Sequence, residues 1–132
     1  MELKIIKEQP PFLLQIQLAG MKPERTTIYP FGTTIYNPSG ELIPEDIMIH
    51  EAVHVAQQGK NPKSWWNKYI LDKDFRLSQE LEANREQYKF ICKITKDREK
   101  RNKALVAMAK NMSGEVYNVN ISFQEAYQKI KI

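Results

Sequence analysis

His50-Glu51-Ala52-Val53-His54 sets two imidazoles four residues apart, with a carboxylate beside the first. On a helix, positions i and i+4 share a face, about 6 Å apart at Cβ, so both rings can reach one zinc ion at ~2.0–2.1 Å. Glu51 then carries its carboxylate where it can take a proton from an attacking water, as the general base of a hydrolase. These are the only two histidines in the chain. Without a cation, one helix would bury two rings and a carboxylate with no compensating charge nearby in sequence, which costs several kcal/mol.

Two histidines leave a tetrahedral site short of a third protein ligand, and a carboxylate is the economical choice. Asp72, Asp74, Glu80, Glu82 and Glu86 are the downstream candidates. Glu80 lies beside the Leu77–Leu81 stripe that faces a core, whereas Glu82 and Glu86 share a side with Lys89 and Lys93. Periodicity therefore favours Glu80, with Glu82 as the alternative ligand. Asn84, one turn beyond Glu80, is placed to accept a hydrogen bond from the outer nitrogen of one histidine and so orient that ring. Tyr69, Tyr36 and Tyr88 are the phenols considered as donors to a developing oxyanion.

The elements that must position these residues follow from local signals. Pro44-Glu45-Asp46 opens a helix that runs to about Gln58 and stops at Gly59; its body is apolar almost all round, as expected of a central helix. A second long helix spans about 74–95, and a third about 97–111. Ser122-Phe123-Gln124-Glu125 has the form of a capping box, which predicts a last helix over about 123–130. Residues 64–71 read as an aromatic-rich short helix or ordered loop. Upstream, Thr26–Tyr29 and Thr33–Tyr36 are β-branched and aromatic quartets flanking Pro30-Phe31-Gly32, two strands with a tight connection. In residues 1–25, Leu3–Lys7 reads as a short strand, and a two-turn helix over 12–19 competes with a further strand. The expectation is an α+β chain forming one domain over residues 1–132: a small N-terminal sheet or hairpin, then a mostly helical part around the histidine helix.

Composition excludes several classes. With 132 residues, 42% hydrophobic and 27% charged, the chain is neither disordered nor fibrous. A single cysteine, Cys92, rules out an intrachain disulfide. No apolar run approaches the ~20 residues that cross a bilayer, so no membrane partner is expected. The start carries no signal-peptide pattern, which gives a cytoplasmic expectation. Net charge is +4, with −3 over residues 41–84 and +6 over residues 85–110. The basic stretch Lys96, Arg98, Lys100, Arg101, Lys103 is interrupted by Asp97 and Glu99 and has no aromatic residue interleaved to stack on bases. A dedicated nucleic-acid site is therefore not expected.

His50-Glu51-x-x-His54 followed, 26 residues beyond His54, by Glu80-Leu81-Glu82-Ala83-Asn84 resembles the gluzincin class of zinc metallopeptidases. In that class the third ligand is a Glu in E-x-x-A-[ND] on a later helix; the more common Asp is Asn84 here, so its orienting bond lacks a full charge. More closely, the chain is similar to small metallopeptidase domain proteins of bacteriophages and prophages. Gly32–Tyr36, His50–Gln58, Trp65 and Tyr69, Glu80–Tyr88 and Ser113-Gly114-x-x-Tyr117 carry that likeness, within roughly residues 26–130. The resemblance implies a minimal zincin-like fold, one Zn2+ per chain, and an edge strand at Thr33–Tyr36 holding a peptide or protein substrate above a cleft. It also implies peptide-bond hydrolysis, in the host cytoplasm or on the virion if the chain is phage-encoded. Two alternatives stay open at this point. One is a non-catalytic zinc-containing binding protein that uses its basic third helix to hold a protein partner or, weakly, nucleic acid, with its cleft plugged by Trp65 or Trp66. The other is a zinc hydrolase of a non-protein amide, with a deep cleft and no exposed strand edge. The oligomeric state is not encoded legibly.

Overall fold

The computed structural model describes residues 2–132. A three-stranded sheet, β1 (Lys4–Ile6), β2 (Tyr29–Phe31) and β3 (Thr34–Tyr36), shares the N-terminal third with the short helix α1 (Leu13–Leu18). Five helices follow: α2 (Glu45–Gln58), α3 (Pro62–Leu71), α4 (Lys73–Ile94), α5 (Arg98–Ser113) and α6 (Phe123–Lys131). Among the described residues, no helix is long and apolar enough to cross a membrane.

The helix starts are specified by side chains that accept from backbone N–H groups otherwise left without partners. Asn61 accepts from Ser64 at 3.1 Å, Asp72 from Phe75 at 3.0 Å, and Ser122 from Glu125 at 3.1 Å. The Ser-x-x-Glu signal is thus realised where it was expected, and residues 62–71 form a helix rather than a loop.

The sheet departs from expectation in two respects. The hairpin's first strand is Tyr29–Phe31 rather than 26–29, with Gly32 at φ 61° in the two-residue turn. Pro30 can sit mid-strand because it faces away from β3, where no N–H is required. Its outward carbonyl accepts instead from Gln58 Nε2 and Trp66 Nε1, 2.7 Å each. Thr27 is drawn into a turn with Glu24, whose N–H donates to Thr27 Oγ1 at 2.8 Å. The second departure concerns Thr33–Tyr36, expected at the edge. The sheet order is β1-β3-β2, so β3 is the central strand, parallel to β1 and antiparallel to β2. Lys4 N–H donates to the Thr33 carbonyl and Asn37 N–H to the Ile6 carbonyl, 2.8 Å each. Both edges of β3 are occupied, and no peptide can pair with it.

Two apolar clusters flank the histidine helix. Ile16, Met21, Tyr29, Trp65, Trp66 and Tyr69 join the sheet, α1 and α3. Leu81, Leu105, Met108, Met112, Ile121 and Ile130 join α4, α5 and α6, with Leu77, Tyr88 and Ile91 of the expected stripe packed against them. α2 is central, as expected, packing on α4, α3 and β2. Its buried residues are His50, Glu51, His54, Val55 and Gln58, while Ala52 and Ala56 face solvent. The inward face is the polar one.

Arg76, 1% exposed, ties this framework together, and nothing in the sequence singled it out. Its guanidinium donates to the carbonyls of Tyr69, Ile70, Tyr117 and Asn118 at 2.7–3.1 Å, joining α3 and α4 to the loop before α6. Removing it leaves several buried carbonyls unsatisfied. Arg76→Met should lower unfolding free energy by roughly 3–5 kcal/mol in denaturant titration. A loss below about 1 kcal/mol would show that water replaces the guanidinium.

Candidate metal centre

His50 and His54 project from one face of α2 as the i, i+4 spacing requires, ring centroids 4.9 Å apart. α4 crosses that face and presents Glu80, 2% exposed. His50 Nε2 lies 3.1 Å from Glu80 Oε1, and His54 Nε2 lies 3.0 Å from Glu80 Oε2. One donor atom from each of the three residues falls within 4.8 Å of the others. The set is two nitrogens and one carboxylate oxygen, the combination that suits Zn2+.

The outer nitrogens show how the rings are set. His50 Nδ1 is 2.9 Å from Gln87 Oε1, and Gln87 Nε2 donates to Asp46 Oδ2 at 2.8 Å. His54 Nδ1 is 2.7 Å from Gln57 Oε1, and Gln57 Nε2 donates to the Gln79 carbonyl and to Glu82 Oε1. In each case the amide nitrogen is committed to an acceptor, so the amide oxygen must face the ring and the ring's Nδ1 must carry a proton. That leaves Nε2 as the metal-facing nitrogen of both histidines. His54 Nε2 is buried without a hydrogen bond: Glu80 Oε2 is close but lies off the direction along which an N–H would point. A buried nitrogen in that state, beside a carboxylate and a second imidazole, is what a bound cation would satisfy. The residues present fit a divalent metal.

The charges agree. Burial alone would raise the Glu80 carboxyl, but the neighbouring imidazoles, His54 foremost, hold it well below the usual carboxylate range. Burial lowers the His54 imidazole, and Glu80 outweighs that and raises it. A metal bound at this centre must compete with protons for the same donor atoms. Glu51 lacks such partners. Burial pushes it up to about 8, with His50 opposing and Glu80 adding to the rise. A carboxyl with that value can both take and give a proton near neutrality.

Several residues take places other than those expected. Asn84 makes no bond to an imidazole; it is one turn beyond Glu80 and its amide donates back to the Glu80 carbonyl at 2.8 Å, beside Met112 Sδ. Glu82 is exposed and reaches the site only through Gln57. Tyr69 is beside the site, but its hydroxyl donates to Glu80 Oε2 at 2.5 Å. Tyr36 is on β3 against Phe12 and does not line the cavity. Tyr88 is on the far side of α4, in a surface depression with Arg98, Arg101, Lys103 and Tyr127. Aromatic rings therefore do stand beside the basic residues of α5, brought there by α4 and α6.

Sequence reasoning gave no role to Gln57, Gln87, Gln58 or Tyr117, although all four fall in the segments that carry the resemblance. Gln58 clamps the sheet: its amide donates to the Pro30 carbonyl and accepts from Gly32 N–H, 2.7 Å each. Tyr117 lines the cavity over the triad, where burial and the Glu80 and Glu51 carboxylates push its phenol well above the ordinary value and keep it protonated. An i, i+3 Gln beside a metal-site His and a Gln one heptad after Glu80 were the available signals. The triad opens into a cavity of about 480 Å³, bordered by Thr26–Pro30 on the sheet side and by α4 and α5 on the other. Trp65 and Trp66 form part of its wall and do not plug it.

Gln87 is buried and Gln57 half-buried, so water can replace only the second. Gln87→Leu should weaken zinc binding about 10–100-fold and Gln57→Leu less, by competition with a chromogenic chelator. Glu80→Gln should cost far more than Glu82→Gln. The reverse order in either pair would show that the ring orientation or the ligand has been misassigned. No protein-family model, curated protein or solved structure matches this chain, so its assignment stands on this geometry.

Proposed function

We propose that the chain is a zinc metallopeptidase of the HExxH…E type, with residues 1–132 acting as one domain. The observation that carries this reading is the orphaned His54 Nε2, set by Gln57 to face a buried carboxylate and a second imidazole. His50, His54 and Glu80 hold the metal, and Glu51 is the catalytic base. A zinc ion so held supplies a Lewis acid for the scissile carbonyl and acidifies the attacking water. Glu51 borders the cavity beside His50 and is free of the hydrogen bonds that fix the other three, so its carboxylate takes the water's proton and returns it to the leaving amine. Tyr69 orients Glu80 through its hydroxyl. Tyr117, rather than Tyr36, Tyr69 or Tyr88, is the phenol placed to donate to the developing oxyanion.

The substrate is an extended polypeptide. β2 forms the sheet edge on the cavity side, and Gln58 and Trp66 close that edge at Pro30. Thr26–Ile28, which line the cavity just before it, are the stretch left for backbone pairing. The open cavity supports catalysis over a plugged binding module.

Glu51→Gln separates catalysis from metal binding. The change is nearly isosteric and removes the base, so zinc content should hold while chelator-sensitive cleavage of a diverse peptide library falls by about 10²–10⁴-fold. Cleavage that survives the substitution would contradict the mechanism.

A further inference from the structure

Away from the metal centre, α4, α5 and α6 meet around a second depression, lined by Tyr88 of α4, Arg98, Arg101 and Lys103 of α5, and Tyr127 and Lys131 of α6. Four cations share this hollow with one carboxylate, Glu99. Among the described residues, none of the four lies within ion-pair distance of a carboxylate. The imbalance extends along the chain, since residues 85–110 carry +6. Like charges gathered without partners repel one another, so the arrangement gains from an anion. A hollow of about 840 Å³ stands near the top of the roughly 300–1,000 Å³ that holds small ligands, so it admits more than a free phosphate.

Part of the lining is held in place by the fold itself. Arg101 Nε donates to the Thr95 carbonyl and Nη2 to the Cys92 carbonyl. These neutral acceptors orient the guanidinium without cancelling its charge, and they leave Nη1 uncommitted. Tyr127 is half-buried; its hydroxyl donates to Asn102 Oδ1 at 2.5 Å, and Lys131 Nζ lies 5.6 Å from the centre of its ring. Tyr88 is half-buried too. Each ring packs against the core that joins α4, α5 and α6 and still borders the depression. Arg98 and Lys103 are exposed and add charge that can follow a ligand.

An acidic polypeptide needs cations but has no use for aromatic faces, and a duplex keeps its base faces inside the stack. A single strand offers phosphates to the cations and open base faces to the rings. We propose that the depression between α4, α5 and α6 binds single-stranded nucleic acid, with Arg98, Arg101 and Lys103 on phosphates and Tyr88 and Tyr127 against bases. The basic run of α5 has no aromatic residue within itself; α4 and α6 bring the rings to it. The site is independent of the peptidase reading, for none of its residues lines the metal cavity.

Fluorescence anisotropy on the zinc-loaded full chain tests this with labelled thymidine and uridine dodecamers, a duplex of the same length and a dodecamer of glutamate. The single strands should bind tightest, with log affinity falling against log salt at a slope of about −2 for three phosphates neutralised. A preference between the two strands assigns the sugar and supports the proposal. Arg98→Gln and Lys103→Gln, both at exposed positions, should each flatten the slope by about 0.7. Tyr88→Leu and Tyr127→Leu should weaken binding roughly 5–150-fold at unchanged slope, whereas the Phe variants, which keep the ring, should bind as the parent does. Duplex or glutamate peptide binding as tightly as the single strands overturns the proposal, the second result in favour of an acidic protein partner. Leucine variants that bind like the parent, or no binding of either strand at low salt, overturn it as well. The exposed-site variants stay readable whatever leucine does to the fold: an unchanged slope in both overturns the proposal.

Discussion

Glu80 carries a negative charge into the interior of a small protein, and the surrounding structure is arranged to make that tolerable. An ionised carboxylate out of water is costly unless it is paired and hydrogen-bonded. Glu80 has a phenol on one oxygen and an imidazole beside each, all three themselves buried. Behind the imidazoles stand two glutamines, and behind those Asp46 and Glu82, so ring orientation is set by a chain of donors that ends in negative charge. His50, His54 and Glu80 could together hold a divalent cation, which would answer the one nitrogen left without a partner.

This constraint explains features of the fold that would otherwise look like faults. α2 turns its polar face inward because the interior it meets is the metal centre, and alanines face solvent in consequence. Apolar packing lies in two clusters, one joining the sheet, α1 and α3 and the other joining α4, α5 and α6, and neither draws on α2. Gln58 fixes β2 to the end of the histidine helix by accepting from Gly32 N–H and donating to the Pro30 carbonyl, mimicking the pairing of one strand residue. Arg76 performs the corresponding service for the loop that carries Tyr117.

The ligand set was legible because its chemistry is confined to helices: His50, Glu51 and His54 by spacing, and Glu80 by lying on the core-facing arc of α4. Helix starts were legible for the same local reason, as at Ser122. What escaped depends on contacts distant in sequence. β3 is central because Lys4–Ile6 returns to pair with it, a fact with no local signature. Pro30 reads as a connection until its neighbours on the sheet are known. Asn84 and Gln87 lie three residues apart on one helix, and only packing decides which of the two reaches an imidazole. Tyr69 was one of three phenols considered as oxyanion donors, and only the packing reveals that its hydroxyl donates to Glu80. The aromatic rings beside the basic face of α5 come from two other helices, so no inspection of 96–103 alone could reveal them.

The central claim is that His50, His54 and Glu80 form the protein shell of one zinc ion with a position left open for reaction. X-ray absorption at the zinc edge of the loaded protein tests this directly. The account predicts one ion per chain with two imidazole nitrogens and carboxylate oxygen at ~2.0–2.1 Å, a remaining light-atom ligand from solvent, and no sulfur. A sulfur scatterer at ~2.3 Å, which would bring Cys92 into the shell, or a shell with fewer than two imidazoles, would contradict it.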